Sequence, residues 1–160
     1  MRLPPVLAAG GIADGRGLAA ALALGADGVL LGTRFLASTE APLHENFKQA
    51  IVQSDGHDTV LTEIPDIAAG VVWPGAMSRA KRNRFIERWA GREWALRQHQ
   101  AEVLVHVQAA RKTGEANEAP LSFGQDAALI KDILPVGDIV RRIAGEAEDI
   151  LSIRLPALIK

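Results

Sequence analysis

Two short apolar runs, each closed by glycine and separated by one alanine-rich stretch, constrain this chain more than any other feature. Pro5-Val6-Leu7-Ala8-Ala9 runs into Gly10-Gly11, and Gly28-Val29-Leu30-Leu31 runs into Gly32-Thr33. A continuous apolar run bounded by glycine reads as a strand buried on both faces. Between the two, Gly15 to Leu24 has strong helix propensity and places Leu18, Ala21 and Leu22 on one face. Asp14 suits the N-cap of that helix and Gly25 its C-terminal stop. Strands joined through a helix lie parallel with a right-handed crossover. Both strand ends then point to the same edge of the sheet, which makes neighbours of the turns Gly10 to Asp14 and Gly32 to Phe35.

Such a pair of turns has two readings. Glycine lets the backbone approach a ligand closely, and amides at a helix start favour a phosphate. A hydroxyl at Thr33 adds a further hydrogen bond. In (β/α)8 barrels the loops after the seventh and eighth strands form such a phosphate site. The plainer reading is that Gly10-Gly11 and Gly32 only make tight strand-to-helix turns.

Beyond the second unit, Leu43, Phe47, Ala50 and Ile51 mark the core stripe of a helix that Thr39 is placed to cap. Regular alternation then stops. Asp58 to Ile64 reads as a short strand or an extended connection, and Val71 to Gly75 as a turn after an apolar patch. From Met77 to about Lys112 the pattern predicts helix, with a basic first half: Arg79, Lys81, Arg82, Arg84, Arg88, Arg92 and Arg97 face only Glu87 and Glu93. Thr113 to Pro120 reads as a loop. After Pro135 a helix from about Asp138 carries Ile139, Val140, Ile143, Ala144, Ala147, Ile150 and Leu151 at helical spacing.

Composition narrows the function. With 18 Lys+Arg against 19 Asp+Glu in 160 residues, the near-zero net charge argues against a general affinity for nucleic acid or anionic membrane. Trp89, Trp94 and Phe85 interleave with the basic stretch, which keeps nucleic-acid contact open as a rival; the favoured reading is a solvated helix whose Phe85, Ile86, Trp89 and Trp94 pack inward or against a partner. No cysteine is present, so thiolate nucleophiles, thiolate metal sites and disulfides are excluded. The N-terminal apolar stretch falls short of the roughly 7 to 15 residues of a signal-peptide core, and no run reaches the roughly 18 residues of a membrane span. A cytoplasmic setting is the expectation. His44 and His57 read as surface residues, and His99 and His106, seven apart on the predicted helix, lack the spacing of a metal pair. No metal site and no catalytic residue is therefore assigned.

The segment Pro5 to Ser38, PVLAAGGIADGRGLAAALALGADGVLLGTRFLAS, resembles the late-barrel signature of the nitronate monooxygenases, formerly 2-nitropropane dioxygenases. These are FMN-dependent (β/α)8-barrel enzymes, with the flavin-dependent enoyl-acyl-carrier-protein reductases as close relatives. AAGGIADGRG and GTRFLAS are specific together and weak apart. Looser counterparts are Asp58 to Thr62, Arg82-Asn83-Arg84-Phe85, Gly124-Gln125, Leu129-Ile130 and Ile139-Val140-Arg141-Arg142. The resemblance implies that Gly10, Gly11 and Ile12, with Gly32, Thr33 and Arg34, surround the FMN phosphate, chiefly through backbone N–H groups, and that Gly124-Gln125 lies near the flavin ring. Asp126 stands where relatives have a small residue. The family's catalytic histidine segment and its early strands have no counterpart here.

A complete barrel takes about 200 to 250 residues. The resemblance therefore implies an α/β chain holding the C-terminal part of an FMN-binding TIM barrel: the last two βα units over 1–53, a mainly helical insertion over 54–120, and a tail over 121–160 whose amphipathic helix returns to the barrel. The implied reaction is oxidation of an alkyl nitronate by FMN and dioxygen, in a truncated or split form. Its open edge is expected to meet a complementary N-terminal half or a second copy. The alternatives are a non-catalytic FMN- or phosphate-binding fragment and a relative of the enoyl reductases.

Overall fold

Parallel pairing occurs where the glycine spacing predicts it. In the computed structural model, which describes residues 4–158, β1 (Leu7–Ala9) and β2 (Gly28–Leu30) pair in parallel with Leu7 opposite Gly28 and Ala9 opposite Leu30. Residues 1–3, part of the stretch weighed as a leader, lie outside the described residues. Asp27 pins the register: its amide donates to the Val6 carbonyl at 2.7 Å and its carboxylate accepts from the Val6 amide at 2.8 Å. The strands are not buried on both faces as the apolar runs suggest. Leu7 is 58% exposed and Leu30 63%, because nothing among the described residues covers those faces.

The crossover helix α1 (Gly15–Ala23) starts at the expected cap, with the Asp14 carboxylate accepting from Arg16 N and Gly17 N at 3.0 and 3.3 Å. Gly25 adopts φ 97 just past its end. Its buried positions are Gly15, Ala19 and Ala21, whereas Leu22 is exposed. The reason is the partner: the C-terminal helix α8 (Val136–Asp149) lies across the start of α1, burying Ile139, Ile143 and Ala147 and leaving Val140 in solvent. Small residues on α1 allow this approach. A methyl group on Gly15 would stand 2.3 Å from Glu146 Cβ and 2.7 Å from the Ala147 backbone nitrogen.

Between β2 and α8 the chain makes a long excursion with its own core. A single turn, α2 (Thr33–Leu36), follows β2, and α3 (Glu45–Val52) comes next. Thr39 does not cap α3; His44 does, its Nδ1 accepting from Asn46 N at 3.2 Å. Pro42 disfavours helical backbone at the residue before it, so the helix begins only beyond it. The open reading of Asp58 to Ile64 resolves into β3 (Thr59–Thr62) followed by α4 (Ile64–Ala69). The predicted long helix from Met77 is instead β4 (Ser78–Lys81), α5 (Arg84–Trp89), α6 (Glu93–Gln98) and α7 (Gln100–Thr113). β4 pairs antiparallel with β3, and Ala80, fully buried between half-buried neighbours, shows the strand alternation. Asn83 caps α5, accepting from Ile86 N at 3.1 Å, and Gly91 at φ 73 separates α5 from α6.

Phe47, Ile51, Ile64, Phe85, Leu96 and Ile130 centre one core that runs from α3 to a 3-10 turn at Gln125–Leu129. Ala13 and Ala37 belong to it, which joins the excursion to the βαβ unit. A parallel bridge between Ser38 and Leu134 brings the two ends of the excursion side by side. Past α8 the helix widens into a π turn (Ile150–Arg154) and ends in α9 (Leu155–Leu158).

Two predictions follow from this packing. Gly15→Ala forces α1 and α8 apart and should cost about 1 to 3 kcal/mol in urea unfolding; an unchanged midpoint would show that the helices separate freely. Acid should also weaken the fold. Burial pushes the Asp58 carboxyl up, but Lys81 and Ser54 together hold it below its ordinary value. A carboxylate lowered on folding stabilises fully above its unfolded pKa, about 4, and loses that contribution as pH falls through the folded value. Thermal midpoints should stay level from pH 7 to about 5 and drop below about 4, with a smaller acid drop in Asp58→Asn.

Candidate functional site

The two glycine turns lie side by side at one edge of the parallel pair, and among the described residues nothing beyond their own chain neighbours crowds Gly10, Gly11 or Gly32. Gly10 and Gly11 adopt φ 88 and 73, in the left-handed region where L side chains are strained. A methyl group built on Gly10, Gly11 or Gly32 meets no protein atom within 4 Å. Room for a ligand therefore exists where the sequence places one.

The donors differ from a simple helix-start site. At α1 the first amides are already taken: Gly15 N donates to Glu146 at 2.9 Å, and Arg16 N and Gly17 N donate to Asp14. Burial pushes the Asp14 carboxyl up, yet Arg16 and the Gly17 amide hold it below its ordinary value, so it stands there as an anion. Two carboxylates at the start of α1 oppose a phosphate at that point. The turn at Gly11-Ile12 and the opening of α2, where a helix start leaves the amides of Thr33 and Arg34 without intrahelical acceptors, remain as donors.

Thr33 is buried and its hydroxyl accepts from Gly124 N at 2.9 Å. That bond brings Gly124-Gln125, from the far end of the excursion, against the Gly32-Thr33 turn. Asp126 is buried in the same corner: a methyl group on Gly124 would lie 2.3 Å from its Oδ1 and 3.3 Å from the Thr33 hydroxyl oxygen. A side chain at position 124 would have to displace the Asp126 carboxylate.

The side chain of Arg34 is buried and fully engaged within the protein. It is 3% exposed. Its guanidinium donates to Asp132 Oδ1 at 3.0 Å, to the Asp132 carbonyl at 2.8 Å and to the Ala37 carbonyl at 2.9 Å. Arg142, from α8, binds the same carboxylate at 2.9 Å. Burial pulls the Arg34 guanidinium below its ordinary value, against the opposing pull of Asp132. Arg142 in turn holds Asp132 below the usual carboxylate range, with Arg34 adding to it. The charged head of Arg34 is thus committed to Asp132 and the Ala37 carbonyl. Arg34, Asp132 and Arg142 themselves line a cleft of about 480 Å³, together with Arg16, Glu146 and Arg154.

Asp132 and Glu146 were not singled out by the sequence, and Arg142 only as part of a loose family counterpart. A buried arginine demands a carboxylate, but no spacing tells which of the chain's acids will reach it across 98 positions.

The histidines and the basic segment serve structure. His44 caps α3 and is packed under Gly114, His99 contacts the Ala95 carbonyl at 2.9 Å, and His106 lies 3.7 Å from Glu118. Arg84 and Arg88 share Glu118, Arg97 pairs with Glu63, Lys81 with Asp58, and Arg92 sits 5.8 Å from the Trp89 ring centre. These pairings divide the basic stretch among separate carboxylates rather than gathering it into one patch. Phe85 packs inward as expected, whereas Trp94 is exposed. Among the described residues no group of His, Asp or Glu is arranged to hold a metal ion, and no helix is long and apolar enough to cross a membrane.

Comparison with known proteins agrees with the motif. Residues 4–146 match the family model of nitronate monooxygenase. A nitronate monooxygenase of Neurospora crassa is 36% identical over 148 residues, covering 90% of this chain and 38% of the relative. One of Metarhizium robertsii is 37% identical over 156 residues, covering 92% and 43%. Among solved structures, FabK from Thermotoga maritima superposes with a TM-score of 0.79 at 36% identity, over 98% of this chain and 48% of that one. A nitroalkane oxidase from Streptomyces ansochromogenes gives 0.72 at 32% identity, over 91% and 40%. The chain spans less than half the length of each of these relatives. By its motif, its fold and the extent of these matches, the chain belongs to the nitronate monooxygenase family.

Proposed function

We propose that this chain supplies the FMN phosphate seat of a flavoenzyme that oxidises alkyl nitronates with dioxygen. The observation that carries the reading is the open space over Gly10, Gly11 and Gly32 at the edge where the two turns meet. The turns at Gly11-Ile12 and Thr33-Arg34 would present their amides to the phosphate. Because the Thr33 oxygen accepts from Gly124, its hydroxyl hydrogen is left to donate. The same bond sets Gly124-Gln125 beside the seat, in reach of the flavin that extends from it. FMN, when bound, supplies the electron-accepting chemistry. The residues of this chain bind and orient; none is assigned to the reacting atoms.

The domain reading follows: two barrel units over 1–53, an insertion over 54–120, and a tail over 121–160 whose helix returns to the first units. Packing of α8 on α1 supports the return. The exposed apolar faces of Leu7 and Leu30 favour completion by further strands, from a complementary N-terminal half or a second copy. A cytoplasmic setting belongs to the same proposal. Similarity to FabK supports a second reading, a relative of the flavin-dependent enoyl-acyl-carrier-protein reductases.

Titration of the purified chain with FMN tests the seat. Quenching of flavin fluorescence is expected at tens of micromolar or below, and its absence at that concentration sinks the proposal. Thr33→Val removes the acceptor of the Gly124 amide, and should cost about 1 to 3 kcal/mol of stability together with weaker FMN binding. Complemented with an N-terminal half, the protein should take up oxygen with an alkyl nitronate. Reduction of an enoyl thioester without nitronate turnover would favour the second reading.

A further inference from the structure

Arg34 lies in the turn that opens toward the proposed phosphate, yet its guanidinium is buried at 3% exposure and bound to Asp132, 98 positions away. Three acceptors fix it: Asp132 Oδ1, the Asp132 carbonyl and the carbonyl of Ala37, the residue that closes α2. Asp132 is itself clamped by Arg142 from α8. The turn after β2 is therefore tied through one side chain to the end of the excursion and, through a shared carboxylate, to the helix lying on α1. Nε has no partner among the described residues. A buried donor left unpaired is a cost, and the side chain bears it in the geometry that satisfies both Nη groups.

We infer that Arg34 is a positioning residue for the phosphate seat: tied to Asp132 and Ala37, its side chain sets the direction of the Thr33 and Arg34 amides without touching the ligand. The inference rests on the FMN reading. A guanidinium fork reaches acceptors in several fixed directions, whereas the single ammonium of lysine offers one centre and cannot reproduce them. Charge at position 34 is thus insufficient; the shape of the fork is what holds the turn.

Riboflavin lacks the phosphate, so the ratio of FMN to riboflavin affinity isolates the seat from every other flavin contact. Both affinities are measured by fluorescence quenching for the unaltered chain, Arg34→Lys and Asp132→Asn, together with hydrogen exchange over residues 32–38. Each variant is expected to lose about tenfold in FMN affinity with riboflavin binding unchanged, and to exchange faster over 32–38 while α1 and α8 stay protected. Asp132→Asn keeps the backbone carbonyl that Arg34 also uses, so it serves where Arg34→Lys does not fold. Equal losses for both flavins, or unchanged FMN affinity, overturn the inference. If the unaltered chain shows no preference for FMN over riboflavin, the phosphate reading itself falls. Exchange over 32–38 then decides the anchor alone, and unchanged exchange overturns it too.

Discussion

Two parallel strands of three residues do not hold themselves together in water, and the contact that holds this pair is the seating of α8 on the start of α1. Gly15 permits it by bringing the backbones of the two helices close, and Glu146 secures it by accepting from the Gly15 amide. The contact joins positions 131 apart in sequence. Everything between them must therefore leave the βαβ unit and return to it in register. The excursion achieves this with a core of its own and with the Ser38–Leu134 bridge, which places departure and return side by side.

This closure also decides the electrostatics of the site. Because Glu146 and Asp14 occupy the first amides of α1, that helix start carries carboxylates where a bare helix would attract an anion. Donors for a phosphate shift to the adjoining turns. The Gly32-Thr33-Arg34 turn is defined from outside, by Gly124 on the Thr33 hydroxyl and by Asp132 on Arg34. A seat made of backbone amides is only as precise as the side chains that fix the backbone, and both of these partners come from the far end of the excursion.

Local signals in the sequence carried the βαβ unit. The Asp14 cap, the Gly25 stop and the glycine-ended strands each need only neighbouring residues to be recognised, and each stands where expected. The resemblance to a known family likewise drew on contiguous motifs. The basic segment failed as a single helix because its breaks fall at single positions, Asn83, Gly91 and His99, within a run of good helix formers, and because Ser78 to Lys81 joins β3 through a pairing partner that propensity does not see. Burial failed for the opposite reason. Val6, Leu7 and Leu30 have the residue types of a covered strand, and only the structure shows that the described residues leave them exposed.

That exposure and the open space over the glycines are two aspects of one geometry. A barrel strand presents one face to helices and the other to the interior, while its end carries the ligand turn. Here α1 packs along the pair, and the faces left bare are the ones further strands would take. Under the proposed reading, the division of labour is then spatial. Phosphate recognition is local to the two turns and needs only residues this chain holds, because amide donors act over a hydrogen-bond length. Orientation of the ring and the chemistry on it need walls, which two strands and a helix do not make. Under that reading the anchor of the cofactor is built jointly, its amides coming from the two turns of the βαβ unit and its precision from Gly124 and Asp132 at the far end of the excursion.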